Sequence, residues 1–188
     1  MRIDLTTDYT TTDLVAQTAA EAQLKISSGY QSANVLTFLD AARQLVERDT
    51  DRSILNTTWT MKLDAFPSVI YLPKGVTVSV TSVKYTDTSG SEQTLSEGTD
   101  YTESLGFDTG RIVPVDSWPS DIDTDLKNAV EVIYVAGYGA SSSTATSWAE
   151  TAILAKISDL YEQSTNNKEL YDMLVYKNRV FFDYSIND

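Results

Sequence analysis

The stretch Thr57-Thr58-Trp59-Thr60-Met61-Lys62-Leu63-Asp64-Ala65-Phe66-Pro67 marks where the chain changes character. Trp59, Met61 and Leu63 alternate with Thr60 and Lys62. A strand turns successive side chains to opposite faces, so this pattern puts one face in a core and the other in water. Just upstream, Val35, Leu36, Leu39, Ala42, Leu45 and Val46 recur at steps of three and four, the spacing of a helix with one apolar stripe. That helix should run from about Ser32 to Arg48 and stop at Asp49-Thr50-Asp51-Arg52. A helical period thus gives way to a strand period near residue 57, and the fold class turns on that switch.

Downstream, residues 57–139 are rich in Val, Thr, Tyr and Ile and are punctuated by Pro, Gly and Asp. Ile70 and Leu72 follow Pro67, and Pro73-Lys74-Gly75 turns the chain. Val76, Val78 and Val80 alternate with Thr77 and Ser79, and Val83 and Tyr85 continue after a shift of register. Asp87-Thr88-Ser89-Gly90 has the composition of a hairpin turn leading into Gln93-Thr94-Leu95. Residues 110–115 and the run around Val130, Val132 and Tyr134 predict two more strands. Many short strands joined by turns imply an antiparallel sheet or small sandwich.

Upstream, residues 1–10 are polar and extended. Thr11 or Thr12 can cap a short helix over about 13–24, which Ser27-Ser28-Gly29 ends. Residues 140–146 have the composition of a flexible linker. Ser147 and Glu150 fit a capping box ahead of a helix over about 148–163, with Ile153, Ile157, Leu160 and Tyr161 on one side. Asn166-Asn167 breaks it, and a last helix is predicted over about 168–182. The expected fold class is α+β: a helical body of N-terminal and C-terminal helices with an antiparallel β-rich insertion in the middle of the chain. The parts are 1–56 (helical), 57–139 (β-rich) and 140–188 (linker, helices and aromatic tail).

The 188 residues include neither cysteine nor histidine. Disulfides, thiolate ligands and Ser–His or Cys–His nucleophile pairs are therefore excluded. No S-x-x-K pair occurs either. No apolar run approaches the ~18 residues that would cross a bilayer, and no basic-then-apolar leader opens the chain, which implies cytosolic synthesis and no membrane partner. Net charge is −13, which opposes nucleic-acid binding because DNA affinity comes mainly from Lys and Arg on phosphates.

Three motifs invite chemistry, and each has a plainer reading. Asp121-Ile122-Asp123-Thr124-Asp125 opens like a calcium loop, but Leu126 and Val132 stand where glycine and a bidentate acid are needed. It reads as a solvated acidic loop. Gly137-Tyr138-Gly139 lacks the third glycine and the following helix of a dinucleotide site, so it reads as the turn that ends a strand. Scattered carboxylates could pair for glycoside cleavage, but no aromatic-rich acidic cleft accompanies them. No catalytic residue, metal ligand or cofactor is expected.

Two groups are candidates for function. Residues 80–130 hold ten acids against three bases. Among them Asp87, Glu92, Glu97, Asp100, Glu103, Asp121, Asp123 and Asp125 are candidates for an acidic surface or channel lumen. In a closed ring a modest local excess repeats by symmetry into a circular field that lets DNA slide. The bland alternative is a solvated sheet face with its loops. The second group is the aromatic C-terminus: Tyr176, Phe181, Phe182, Tyr184 and Ile186. Such a segment packs on its own domain or docks on a partner.

An ordered series of segments resembles the head–tail connector (head-completion adaptor) family of tailed phages. It runs through residues 42–50, Ile54-Leu55-Asn56-Thr57-Thr58-Trp59 and Leu63-Asp64-Ala65-Phe66-Pro67. It continues through Ile70-Tyr71-Leu72-Pro73, residues 80–85, Asp100-Tyr101, residues 110–114, Trp118-Pro119, residues 128–139 and Leu160-Tyr161-Glu162. The likeness covers roughly residues 30–165. It departs at both ends, where the first helix is polar and Thr-rich and the last is longer and more aromatic. The resemblance implies a ring, commonly a dodecamer, at the capsid–tail junction. It also implies docking on the portal protein, often through the C-terminal segment, an extended DNA channel, and a platform for the next tail component (stopper, terminator or nozzle). DNA would pass without specific binding. The alternatives are another tail-completion or stopper protein of the virion, a carbohydrate-binding β-module, and a carboxylate hydrolase.

Overall fold

A computed structural model describes residues 1–7, 14–106, 109–139, 147–181 and 183. Among them the chain is α+β, with helices flanking a mid-chain set of antiparallel strands. In chain order the elements are β1 (Arg2–Thr7), α1 (Gln17–Gln23), α2 (Ser32–Thr50), β2 (Thr57–Leu63), β3 (Ile70–Leu72), β4 (Thr77–Thr86), β5 (Glu92–Leu95), β6 (Tyr101–Ser104), β7 (Gly110–Pro114), β8 (Val130–Ala136), α3 (Ser147–Glu162) and α4 (Lys168–Asn178). The described residues fall into two compact units, one within Met1–Asp8, Asn56–Gly137 and Phe181–Asp188 and the other within Tyr9–Leu55 and Tyr138–Val180.

The sheet unit holds a five-stranded sheet in the order β1-β2-β8-β4-β5 and a three-stranded sheet in the order β3-β7-β6. Every ladder is antiparallel. β2 shows why: Met61 and Leu63 are buried, while Thr60 and Lys62 face the other side. Its partner β8 alternates in the same way, burying Val130, Val132, Tyr134 and Ala136. Ile70, Leu72, Tyr101 and Ile112 of the smaller sheet share that core. Burying a side chain of this size contributes about 1.5–3 kcal/mol. On the outward face the row Lys62–Glu131–Lys84–Glu92 alternates in charge across β2, β8, β4 and β5, with ion pairs at 3.0 Å for Lys62–Glu131 and 2.8 Å for Lys84–Glu92.

The helical unit packs α1 to α4 around Leu14, Val15, Val35, Leu39, Val46, Ile54, Ile153, Ile157 and Tyr171. Phe38 of α2 meets Tyr161 of α3 edge-on at 6.1 Å. Asp51 ends α2 in the left-handed conformation, and the Thr50 hydroxyl turns back to donate to the Val46 carbonyl at 2.7 Å.

Several expectations need correction. Residues 2–7 form a strand, not merely an extended polar lead: β1 pairs with β2, and Ile3 packs on the sheet core. The signal was the alternation of Arg2, Asp4 and Thr6 with Ile3 and Leu5. In β4 the Val76-Val78-Val80 alternation fails. Thr77 is buried and Val78 exposed, because bulges at Thr77/Ser79 and Val80/Ser82 reset the register before Val83 and Tyr85 turn inward. β6 carried no recognised signal. The first helix starts at Gln17, after the buried Leu14 and Val15, and the proposed caps Thr11 and Thr12 lie outside the described residues. The last helix stops at Asn178 rather than near 182. Arg179 is extended, and the Val180 amide donates to the Thr50 carbonyl at 2.9 Å. The 140–146 linker also lies outside the described residues.

Candidate interaction surfaces

The acidic candidates sort by what their carboxylates bind. Asp87 is buried at the β4–β5 turn and accepts from the Ser89 and Ser91 amides, the Ser89 hydroxyl and Gln93. Those bonds hold its carboxyl down at about 2. It builds the hairpin, as an aspartate does at the first position of a turn. Asp100 likewise accepts from the Ser96 amide at 2.7 Å. Asp121 accepts from the Tyr85 phenol at 2.9 Å, and Asp123 from the Asp125 amide at 3.0 Å.

Thus Asp123 caps a turn of its own loop and Asp121 ties that loop to Tyr85 of β4. The position that a calcium loop would give to its last acid is Val132, buried in the sheet core. Among the described residues no cluster of three or more acids is arranged to hold a metal ion.

Glu92 is exposed and paired with Lys84. Glu97 and Glu103 are different, because neither forms a turn with its carboxylate. Burial and the neighbouring Glu97 push the Glu103 carboxyl above its ordinary value. The eight acids therefore lie in one unit, but most are tied to local structure.

Of the C-terminal candidates Tyr176 lies on α4, while Phe181 follows the helix and belongs to the sheet unit. Tyr171, Leu174 and Val175 face the helical core. The opposite face carries Leu170, Met173 and Tyr176, all exposed, at steps of three. Tyr176 is 75% exposed and Phe181 76% exposed. Phe182, Tyr184 and Ile186 lie outside the described residues. The helical spacing of Leu170 and Leu174 does not put them on one face: Leu174 packs on the core and Leu170 belongs to this exposed stripe, as does Met173.

The helix that presents this stripe is held firmly. Arg52 is buried and donates to the Asn178 carbonyl and to the Tyr138 phenol, with its guanidinium 5.7 Å from the Tyr138 ring centroid. Tyr171 donates to Asp49, and Lys156 lies 4.7 Å from the Tyr171 ring centroid. Together with the Val180–Thr50 bond, these contacts fix where the chain leaves α4.

No family model matches the chain, and no curated protein matches it by sequence. Solved structures do share its fold. One is a chain of the neck of an empty gene transfer agent (GTA) particle computed with C6 symmetry, with a TM-score of 0.79 and 19% identity over 100% of both chains. Another is a chain of the virion of a native GTA particle, with a TM-score of 0.78 and 20% identity over 97% of both. A third is a chain of the neck of a native GTA particle computed with C12 symmetry, with a TM-score of 0.75 and 19% identity over 100% of both. This is the fold of a particle-neck chain. At such identities the likeness is one of fold.

Proposed function

We propose that the chain is a structural virion protein, one subunit of an oligomeric ring at the head–tail junction of a tailed-phage-like particle. The observation that carries this reading is the end-to-end fold likeness to neck chains of GTA particles. Those necks were computed with C6 and C12 symmetry, which favours a homo-oligomeric ring here, with twelve copies as the expected number. Chemistry agrees, since the chain lacks imidazole and thiol and carries a net charge of −13. In this reading the protein works by shape and self-association, not by turnover.

The finer assignments follow from the same reading. The ring docks on the portal, extends the DNA channel and offers a platform to the next tail component. The aromatic segment beyond Val180, from Phe181 through Phe182, Tyr184 and Ile186, is the portal-docking element. The acids of the sheet unit give the ring a negative field that repels phosphates, so DNA slides without being gripped.

The test is native mass spectrometry with negative-stain imaging of the purified protein, alone and mixed with the portal. A ring of cyclic symmetry that stacks on the portal is the expected result, and a monomer that ignores the portal overturns the reading. Truncation tests the docking element. A cut after Lys177 would remove the Asn178 and Val180 anchors, so the informative cut is after Val180. It should abolish portal docking and leave thermal stability unchanged. Full docking by the truncated chain would remove the role given to the tail.

A further inference from the structure

The exposed stripe on α4 has a counterpart in the same helical unit. Tyr30, just ahead of α2, and Ala33, Leu36 and Thr37 on its first half are exposed. Tyr30 and Leu36 are two of the ten large apolar side chains in the described residues that stay in water, and Leu170, Met173 and Tyr176 are three more. Leu170, Met173 and Tyr176 run about 9 Å along α4, whereas Leu36 lies on α2 and Tyr30 on the turn that leads into it. The two patches are distinct from each other. A cyclic ring needs two different, mutually complementary patches on each subunit, one for each neighbour, whereas a two-fold dimer needs only one.

Charge sets the direction of pairing. Asp40 lies one helical turn beyond Leu36; its carboxylate accepts from Arg43 and Gln44 within α2, and its side chain remains 46% exposed to a second cation. Lys177 lies one turn beyond Met173 and is exposed in the last turn of α4. If Leu36 faces Met173 and the helices run the same way, Asp40 faces Lys177. The opposite direction would set Lys177 against Ser32 and Asp40 against Glu169, which replaces the opposite-charge pair with a like-charge one.

We propose that the Leu170–Met173–Tyr176 face of α4 packs against the Tyr30–Leu36 face of α2 on the next copy of this chain, making the subunit-to-subunit contact of the ring. The inference rests on the ring reading above and adds to it the two surfaces that close the ring. Tyr176 ends the stripe before the tail assigned to the portal begins.

The absence of cysteine makes a direct test clean. Leu36→Cys and Met173→Cys are introduced together, and each alone, and the assembled proteins are oxidised and run under denaturing conditions. The double variant should give a ladder of covalent multimers, because each copy offers both halves of the contact. Either single variant should stop at dimers or less. Met173→Glu and Leu36→Glu should each weaken assembly about tenfold or more, as central apolar contacts of interfaces do. Both changes are at exposed positions, and unchanged thermal melting checks the fold.

If the unmodified protein forms rings and the double variant gives no ladder, this inference is overturned while the ring reading stands. If the unmodified protein never forms a ring, alone or on the portal, both fall. Protection of the α4 stripe only when the portal is added would assign that face to the portal and overturn the contact proposed here.

Discussion

The phenol of Tyr171, in the first turns of α4, donates a 2.8 Å hydrogen bond to the Asp49 carboxylate near the end of α2. The two residues are 122 positions apart in sequence. The bond joins the helix that carries the exposed stripe to the helix that carries its proposed counterpart. Burial and the Asp49 charge push the Tyr171 phenol well above its usual range, so it remains a donor at any working pH.

Tyr171→Phe tests that link. The ring stays packed and only the bond to a charged acceptor is lost, a loss of about 1.5–3 kcal/mol. Urea denaturation should show this decrease, with faster amide exchange concentrated in α4. A variant as stable as the parent would mean that the bond is not holding α4 in place.

Asp87→Asn should change how stability depends on acid. The folded carboxyl sits at about 2, below its unfolded value of about 3.9. The folded protein therefore binds this proton less readily, and the group stabilises fully above the unfolded value and loses its effect as pH falls through about 2. The stability gap between parent and variant should be widest at pH 6 and shrink toward pH 2. A gap independent of pH would show that the bonds to Ser89, Ser91 and Gln93 do not favour the ionised form.

Glu103→Gln should act in the opposite sense. Burial and Glu97 raise the Glu103 carboxyl, so the folded state binds this proton more readily than the unfolded chain. Its contribution is favourable below the unfolded value and is lost as pH rises through the raised folded value. At pH 7 the glutamate is a net cost, and the glutamine variant should melt at a higher temperature. Around pH 4 and below the two proteins should converge. Equal melting at pH 7 would remove Glu103 from the strained acids of the sheet unit.

Gly110→Ala should destabilise the sheet unit for a steric reason. A methyl there would press into the Thr77 hydroxyl and lie 2.7 Å from the Thr77 Cβ. Overpacking of this kind costs about 1–3 kcal/mol. Thermal unfolding should report it. A neutral effect would mean that β4 and β7 can part at no expense.

The sequence carried the elements whose patterns are local. The apolar steps of α2 and the alternation in β2 and β8 needed no partner to be read, because each follows from the geometry of its own backbone. The same is true of the β4–β5 hairpin, where Asp87 and Gly90 encode the turn. That gave α+β with strands in mid-chain, and the missing imidazole and thiol removed whole classes of chemistry.

What depended on the rest of the chain was decided only in three dimensions. β1 alternates as clearly as β2, yet its polar composition hid it until β2 supplied an edge to pair with. The bulges of β4 reversed the inward set from Val78 to Thr77, which no period-two count contains. α4 ends where the Thr50 carbonyl and Arg52 capture the backbone at Val180 and Asn178. Leu170 and Tyr171 are neighbours in sequence and both apolar in large part, but packing buries the second and leaves the first in water. A sequence states which side chains can be buried; only the packed chain, with room for some and not for others, states which remain exposed for a partner.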